Sequence, residues 1–189
     1  IPYRAGDGEA DVEQYFRCWE TACREIAALQ GFSPRLETEP GRYLVGNAGM
    51  LVAEVRSVKP MGGNHFTLVD AGMNDLVRPA MYGAHHHISL IPRDDAPRPL
   101  VETVVGGPLC ESGDVFTQQA DCVLEPVWLP APNVGDLLVI HDAGAYGASM
   151  SSQYNSRPLA PEVLIDGDDV RVIRRRQTIE ELLLLESMS

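Results

Sequence analysis

From Phe32 onward, short apolar runs alternate with clusters of Gly, Pro and Asp, and the chain holds 17 Gly and 14 Pro. Runs of that length bounded by turn residues favour strands. The candidates are Arg35–Glu39, Leu44–Val58, Phe66–Asp70, His87–Ile91, Val101–Val105, Val123–Leu129, Leu137–His141, Glu162–Ile165 and Val170–Arg174. Asp166-Gly167 between the last two is a hairpin signal, because a tight turn needs positive φ there. Many strands joined by turns predict a mainly β fold, a barrel or a sandwich.

Two helices frame this region. Val12, Phe16, Trp19, Cys23, Ile26 and Ala27 recur three or four apart, as on one helical face. Asp11 suits its N-cap, with Gln14 three residues on, and Gly31 suits its C-cap. A final helix is expected over 178–186, with Thr178 as N-cap and Glu181 three residues later. A helix followed by one strand resembles the tail of an α/β unit. The chain begins at Ile1 rather than Met, so it reads as part of something longer.

The 189 residues carry a formal charge of −12, which disfavours nucleic acid and anionic membranes as partners. No run of apolar residues is long enough for a membrane span. Cys18, Cys23, Cys110 and Cys122 follow no disulfide or zinc spacing, which fits a reducing, cytoplasmic setting. Lys59 is the single lysine beside fourteen arginines.

Five segments concentrate functional residue types. In Glu39-Pro40-Gly41-Arg42, glycine lets N–H groups approach an anion and arginine adds a forked donor. After Asp70-Ala71-Gly72-Met73-Asn74-Asp75, Arg78 and Tyr82 lie four apart, so in a helical turn they share a face and can hold a carboxylate. In the run from Gly107 to Asp114, Cys110 beside Glu111 could donate a proton or act as a nucleophile. The run from Asp142 to Met150 has small residues for close ligand approach and Tyr146 as a flat polar face. His85-His86-His87 suggests a metal, but neighbours on a strand face opposite ways and no further ligand sits at a metal spacing; a supporting role is expected, with no metal. Taken singly, these segments define a β-rich domain with an anion site and no particular reaction.

Taken together and in this order, they resemble the C-terminal half of the diaminopimelate decarboxylases, within the alanine-racemase-like, fold-type III enzymes of pyridoxal 5'-phosphate. The ending Arg174-Arg175-Arg176-Gln177-Thr178-Ile179-Glu180-Glu181-Leu182 is also similar to forms fused to an aspartate kinase. The resemblance implies residues 1–42 as the remnant of a cofactor-binding (β/α)8 barrel, and 43–189 as the β-domain with its terminal helix. It implies that Glu39, Pro40, Gly41, Arg42 and Tyr146 contact the cofactor. Arg42, Arg78, Tyr82, Glu111 and Tyr146 would bind an amino-acid substrate, and Cys110 would be the catalytic proton donor. Cys110 and Glu111 would reach into the neighbouring subunit's site, making the enzyme a homodimer.

The implied reaction converts meso-2,6-diaminopimelate to L-lysine and CO2, the last step of lysine biosynthesis. The lysine that holds the cofactor covalently would lie outside this chain, since Lys59 matches no catalytic position of the family. By itself the chain is expected to be inactive. The alternatives are a related ornithine, arginine or carboxynorspermidine decarboxylase, and a non-catalytic dimerising β-domain.

Overall fold

The computed structural model describes residues 1–4 and 6–186; the last three residues of the expected range 43–189 lie outside them. Helix α1 spans Val12–Gln30. The Asp11 side chain accepts the N–H of Gln14 (2.8 Å), and Gly31 at φ 75° closes the helix, its N–H donating to the Ala27 carbonyl. Both caps were legible in the sequence. None of its residues is buried.

Residues 33–40 form no strand, contrary to the expectation for Arg35–Glu39. A strand exists only as half of a hydrogen-bonded pair, and no described segment forms a ladder with this one. The long run from Leu44 also divides. Arg42–Val45 forms the short helix α2, Gly46–Ala48 a 3-10 turn, and strand β1 begins only at Leu51 and runs to Met61. Gly62 and Gly63, at φ 60° and 86°, turn the chain into β2 (Asn64–Val69). Two positive-φ residues match the twist of a two-residue hairpin; this Gly-Gly pair is a signal the strand reading passed over.

The remaining elements are α3 (Arg78–Tyr82), β3 (Ile88–Ile91), β4 (Leu100–Gly106), β5 (Val127–Pro130), β6 (Leu137–Ile140), β7 (Glu162–Asp166), β8 (Asp169–Arg174) and α4 (Ile179–Leu182). Val123–Leu129 was expected as one strand; only its second half pairs, with an isolated bridge at Leu124. Strands β1 to β6 form one mixed sheet in the order β3-β6-β1-β2-β4-β5. The two edges, β3 and β5, approach each other, so the sheet curls into a nearly closed barrel.

Its interior is filled by Ala53, Val55, Val69, Leu76, Ile88, Val105, Phe116, Leu129, Leu138 and Ile140. The two buried threonines inside are paired: the Thr103 hydroxyl donates to the His65 carbonyl (3.1 Å), and Thr67 in turn donates to Thr103 (2.9 Å). Strands β7 and β8 form a separate hairpin, whose turn residues are Gly167 and Asp168, one position later than expected. In α4 the capping box is complete, with Glu181 N–H on the Thr178 hydroxyl and Thr178 N–H on the Glu181 carboxylate. That helix is a single turn, shorter than the expected 178–186.

Candidate functional site

Arg42 follows Gly41, whose φ of 41° turns the chain into α2. No carbonyl or side chain accepts the N–H of Gly41 or Arg42 among the described residues. A Cβ at position 41 would meet nothing nearer than the Glu39 carbonyl at 3.8 Å, so this turn is open. The Arg42 guanidinium lies 5.2 Å from the ring centre of Tyr146 and 5.7 Å from that of Tyr3.

Tyr146 takes φ 60°, a conformation that costs a non-glycine residue about 1–3 kcal/mol and is held only where its surroundings impose it. Here the surroundings are backbone. Ala143 N–H donates to the Gly49 carbonyl (2.8 Å) and Gly144 N–H to the Gly46 carbonyl (3.0 Å). A Cβ on Gly144 would stand 1.8 Å from the Val45 carbonyl oxygen. The glycine-rich run beside Tyr146 therefore lets its turn lock directly onto the turn that carries Arg42.

Arg78 begins α3 and is buried, with 6% of its surface exposed. Its Nη1 donates to the Tyr3 hydroxyl (3.2 Å) and to His86 Nε2 (3.1 Å), and its guanidinium lies 5.1 Å from the Tyr3 ring centre. Tyr3 thus gathers both guanidiniums onto one ring, each within cation–π range. Tyr3 is itself fixed by its neighbours in the chain: Asp7 accepts the N–H groups of Tyr3 and Arg4, and Arg4 forks onto Glu125 (2.7 and 3.1 Å).

Tyr82 closes the same helical turn four residues on from Arg78, as expected, but is exposed where Arg78 is buried. The helix has five residues and ends at Gly83, which sits too close to Ala120 N for any Cβ (2.0 Å). Arg78 turns inward to His86 instead.

Cys110 and Glu111 occupy a loop between β4 and β5, and both are exposed. Asp114 pins this loop. Its carboxylate accepts the N–H of Leu109 (2.8 Å) within the loop and that of Met73 (2.6 Å) in the Asp70–Asp75 turn. Glycines at 72 and 107 leave room for it; a Cβ on Gly107 would meet Asp114 Oδ2 at 2.2 Å. Burial raises the Asp114 carboxyl above the usual carboxylate range, although both N–H donors pull the other way. Burial raises Asp75 in the same turn likewise. The Glu111 carboxylate accepts Gly113 N–H (3.0 Å) and the Ser112 hydroxyl (3.2 Å). Among the described residues, no hydrogen bond or ion pair joins Cys110 or Glu111 to Arg42, Arg78 or Tyr146.

The expected site residues therefore fall into two groups. Arg42 and Arg78 meet on the Tyr3 ring, with Tyr146 beside Arg42; Cys110 and Glu111 make no hydrogen bond or ion pair to them among the described residues. Glu39 and Pro40 are exposed ahead of α2, with the Pro40 carbonyl accepting Tyr43 N–H (2.9 Å). Tyr3 and Asp114 were missed as working parts of the site, and the supporting role expected of the histidine run falls on His86, which bonds Arg78. No local pattern marks Tyr3, which lies 75 residues from Arg78. Asp114 ends a quoted motif, and His86 lies in the histidine run, so each had a signal without a partner to explain it. Among the described residues, no three His, Cys, Asp or Glu gather as metal ligands, and no helix is long and apolar enough to cross a membrane.

Residues 17–144, which include Arg42, Arg78 and the strands of the nearly closed β-barrel, match the family model described as pyridoxal-dependent decarboxylase, C-terminal sheet domain. The chain belongs to that family. The chain is similar within it to diaminopimelate decarboxylases. The chain is 59% identical to the one from Streptomyces coelicolor over 188 residues, covering 98% of this chain and 43% of the relative. A diaminopimelate decarboxylase crystal structure superposes with a TM-score of 0.94 at 59% identity, over 98% of this chain and 45% of that one. The Helicobacter pylori diaminopimelate decarboxylase, in a crystal structure complexed with L-lysine, superposes at 0.82 with 36% identity, over 98% of this chain and 42% of that one. The chain thus spans under half the length of these relatives.

Proposed function

We propose that this chain is the C-terminal part of an enzyme that decarboxylates meso-2,6-diaminopimelate to L-lysine and CO2. Residues 1–42 read as the end of its cofactor-binding barrel and 43–189 as its sheet domain. The observation that carries the reading is the convergence of Arg42 and Arg78 on Tyr3 beside Tyr146. A substrate with an amino-acid group at each end presents two carboxylates, and forked guanidiniums recognise them bidentately. Lysine and ornithine lack the second carboxylate and would leave a buried cation without its partner, which a polar site penalises heavily.

The residues also fit pyridoxal phosphate. The free N–H groups of Gly41 and Arg42 and the open space beside Gly41 suit a phosphate, with Glu39 and Pro40 leading into the turn. Tyr146 offers a ring and a hydroxyl beside Arg42. When bound, this cofactor supplies the electron sink for the charge left as CO2 departs.

This chain's own groups do the rest. Arg42 and Arg78 orient the carboxylates, Tyr82 adds a substrate contact, and Glu111 meets the far ammonium. Cys110 donates the proton that replaces CO2 at the α-carbon. Cys110 and Glu111 are exposed and bond none of the arginine cluster, which supports two subunits completing each other's sites in a homodimer. The lysine that holds the cofactor comes from outside this chain. Lys59 lies eight residues along β1 from Leu51, roughly 26 Å at strand rise, from the end nearest Arg42. We place the enzyme in the cytoplasm, where four free cysteines stay reduced.

The test is CO2 release by the full-length protein with pyridoxal phosphate. The expected result is turnover of meso-2,6-diaminopimelate far above ornithine, arginine, carboxynorspermidine or L-lysine. Faster turnover of ornithine or L-lysine would overturn the assignment.

A further inference from the structure

His86 is 3% exposed and makes a hydrogen bond from each ring nitrogen. Nε2 faces Arg78 Nη1 at 3.1 Å, and Nδ1 faces the His141 carbonyl at 2.9 Å. A guanidinium can only donate and a carbonyl can only accept. His86 Nε2 must therefore carry the lone pair and Nδ1 the proton, so one neutral tautomer satisfies both partners. The carbonyl it holds is itself fixed, because His141 extends the β3–β6 ladder with its N–H on the His87 carbonyl (2.9 Å). The His141 ring is tied to Ser89 (2.8 Å), and the Tyr3 ring meets the His86 ring edge-on at 5.8 Å.

We propose that His86 is the positioning residue of Arg78: its neutral ring accepts from the guanidinium and so sets where the remaining N–H groups point, and its protonation releases Arg78. The inference rests on the reading of Arg78 as a substrate-carboxylate contact. A protonated ring would turn an N–H toward a guanidinium N–H, replacing a hydrogen bond with two apposed cations.

The groups around the ring are Arg78 and Tyr3, Asp142 beyond β6, and His85 on its own segment. Burial and the Arg78 and His85 charges disfavour the charged ring; Asp142 and the His141 carbonyl favour it; and the balance holds His86 below the ordinary histidine range. The unfolded chain therefore binds the extra proton first. The contribution of neutral His86 is fully present above about pH 6.5 and is lost as pH falls through the lower folded value.

The test compares the full-length protein with its His86→Phe and His86→Gln variants across about pH 5 to 8. In the wild type, KM for meso-2,6-diaminopimelate rises on the acid side while kcat changes less. His86→Phe keeps the ring but loses both bonds and raises KM at neutral pH roughly tenfold or more. His86→Gln keeps an acceptor and a donor without titrating; it recovers KM to within about threefold of wild type and flattens the acid rise. An unchanged KM in His86→Phe overturns the proposal, as does a wild-type acid rise in His86→Gln. Imidazole nitrogen chemical shifts of the wild type decide independently of turnover: a protonated Nδ1 supports the proposal and a protonated Nε2 overturns it. If the wild type does not decarboxylate diaminopimelate, the proposed function falls and these shifts alone decide the role of His86.

Discussion

At the residue scale, Asp114 shows how a motif member can serve its neighbours rather than the reaction. Its carboxylate joins the Asp70–Asp75 turn, which leads into Arg78, to the loop of Cys110 and Glu111. Asn at 114 keeps one acceptor and turns an NH2 toward the other backbone N–H. The Asp114→Asn variant is expected to lose about 1–3 kcal/mol, read from urea unfolding. The sign of its pH dependence also follows. Because burial raises the folded-state carboxyl, the folded chain holds a proton that the unfolded chain has released just above about pH 4. Wild-type stability should fall as pH rises through that window, and Asp114→Asn should lessen the slope. Asp75 shifts the same way and leaves part of it. An unchanged slope would show that Asp114 is not the group responsible. The types at 42, 78, 110, 111 and 146 were readable from the sequence, because forked cations, a thiol and a phenol carry their chemistry in their names. Tyr3 was not, because a tyrosine outside any motif signals nothing until the fold brings Arg42 and Arg78 to its ring.

Between elements, the decisive join is the contact of α2 and its 3-10 turn with the Asp142–Gly147 turn. It is made by backbone, so glycine is required where the chains cross. Gly144→Ala is expected to cost about 3 kcal/mol, because its methyl would overlap the Val45 carbonyl. A urea midpoint equal to wild type would show that the two turns are not locked. The variant should also part Arg42 from Tyr146, so in the full-length protein cofactor affinity should fall further than stability alone explains. Element type was legible where the cue was local, as in the caps of α1, the capping box of α4 and the β7–β8 hairpin. It failed at Arg35–Glu39, which lacks a ladder partner, and in the first half of Val123–Leu129, which makes only an isolated bridge. Pairing is a property of two segments, and composition reports on one.

For the whole molecule, the sheet core is well formed while α1 and the β7–β8 hairpin present apolar side chains outward. Phe16, Ile26, Leu29 and Phe32 are exposed on and just beyond α1, as are Val163, Ile165, Val170, Val172 and Ile173 on the hairpin. Surfaces of this kind associate in water. Residues 1–189 as a separate polypeptide are expected to self-associate with rising concentration in sedimentation velocity, and Ile26→Glu with Leu29→Glu should reduce it. A monomer up to about 100 µM would count against an associating face. The sequence by itself determined the β-rich class, the caps and turns, and the ordered run of motifs that identifies the family, because each depends on neighbours a few residues apart. It also determined that Lys59 is the one lysine available. Only the tertiary structure decided that Tyr3 unites two arginines, that His86 must be neutral to hold Arg78, and that Cys110 and Glu111 sit exposed on a loop pinned by Asp114. Those facts depend on contacts made when the sheet curls and brings distant segments together, and no local periodicity encodes them.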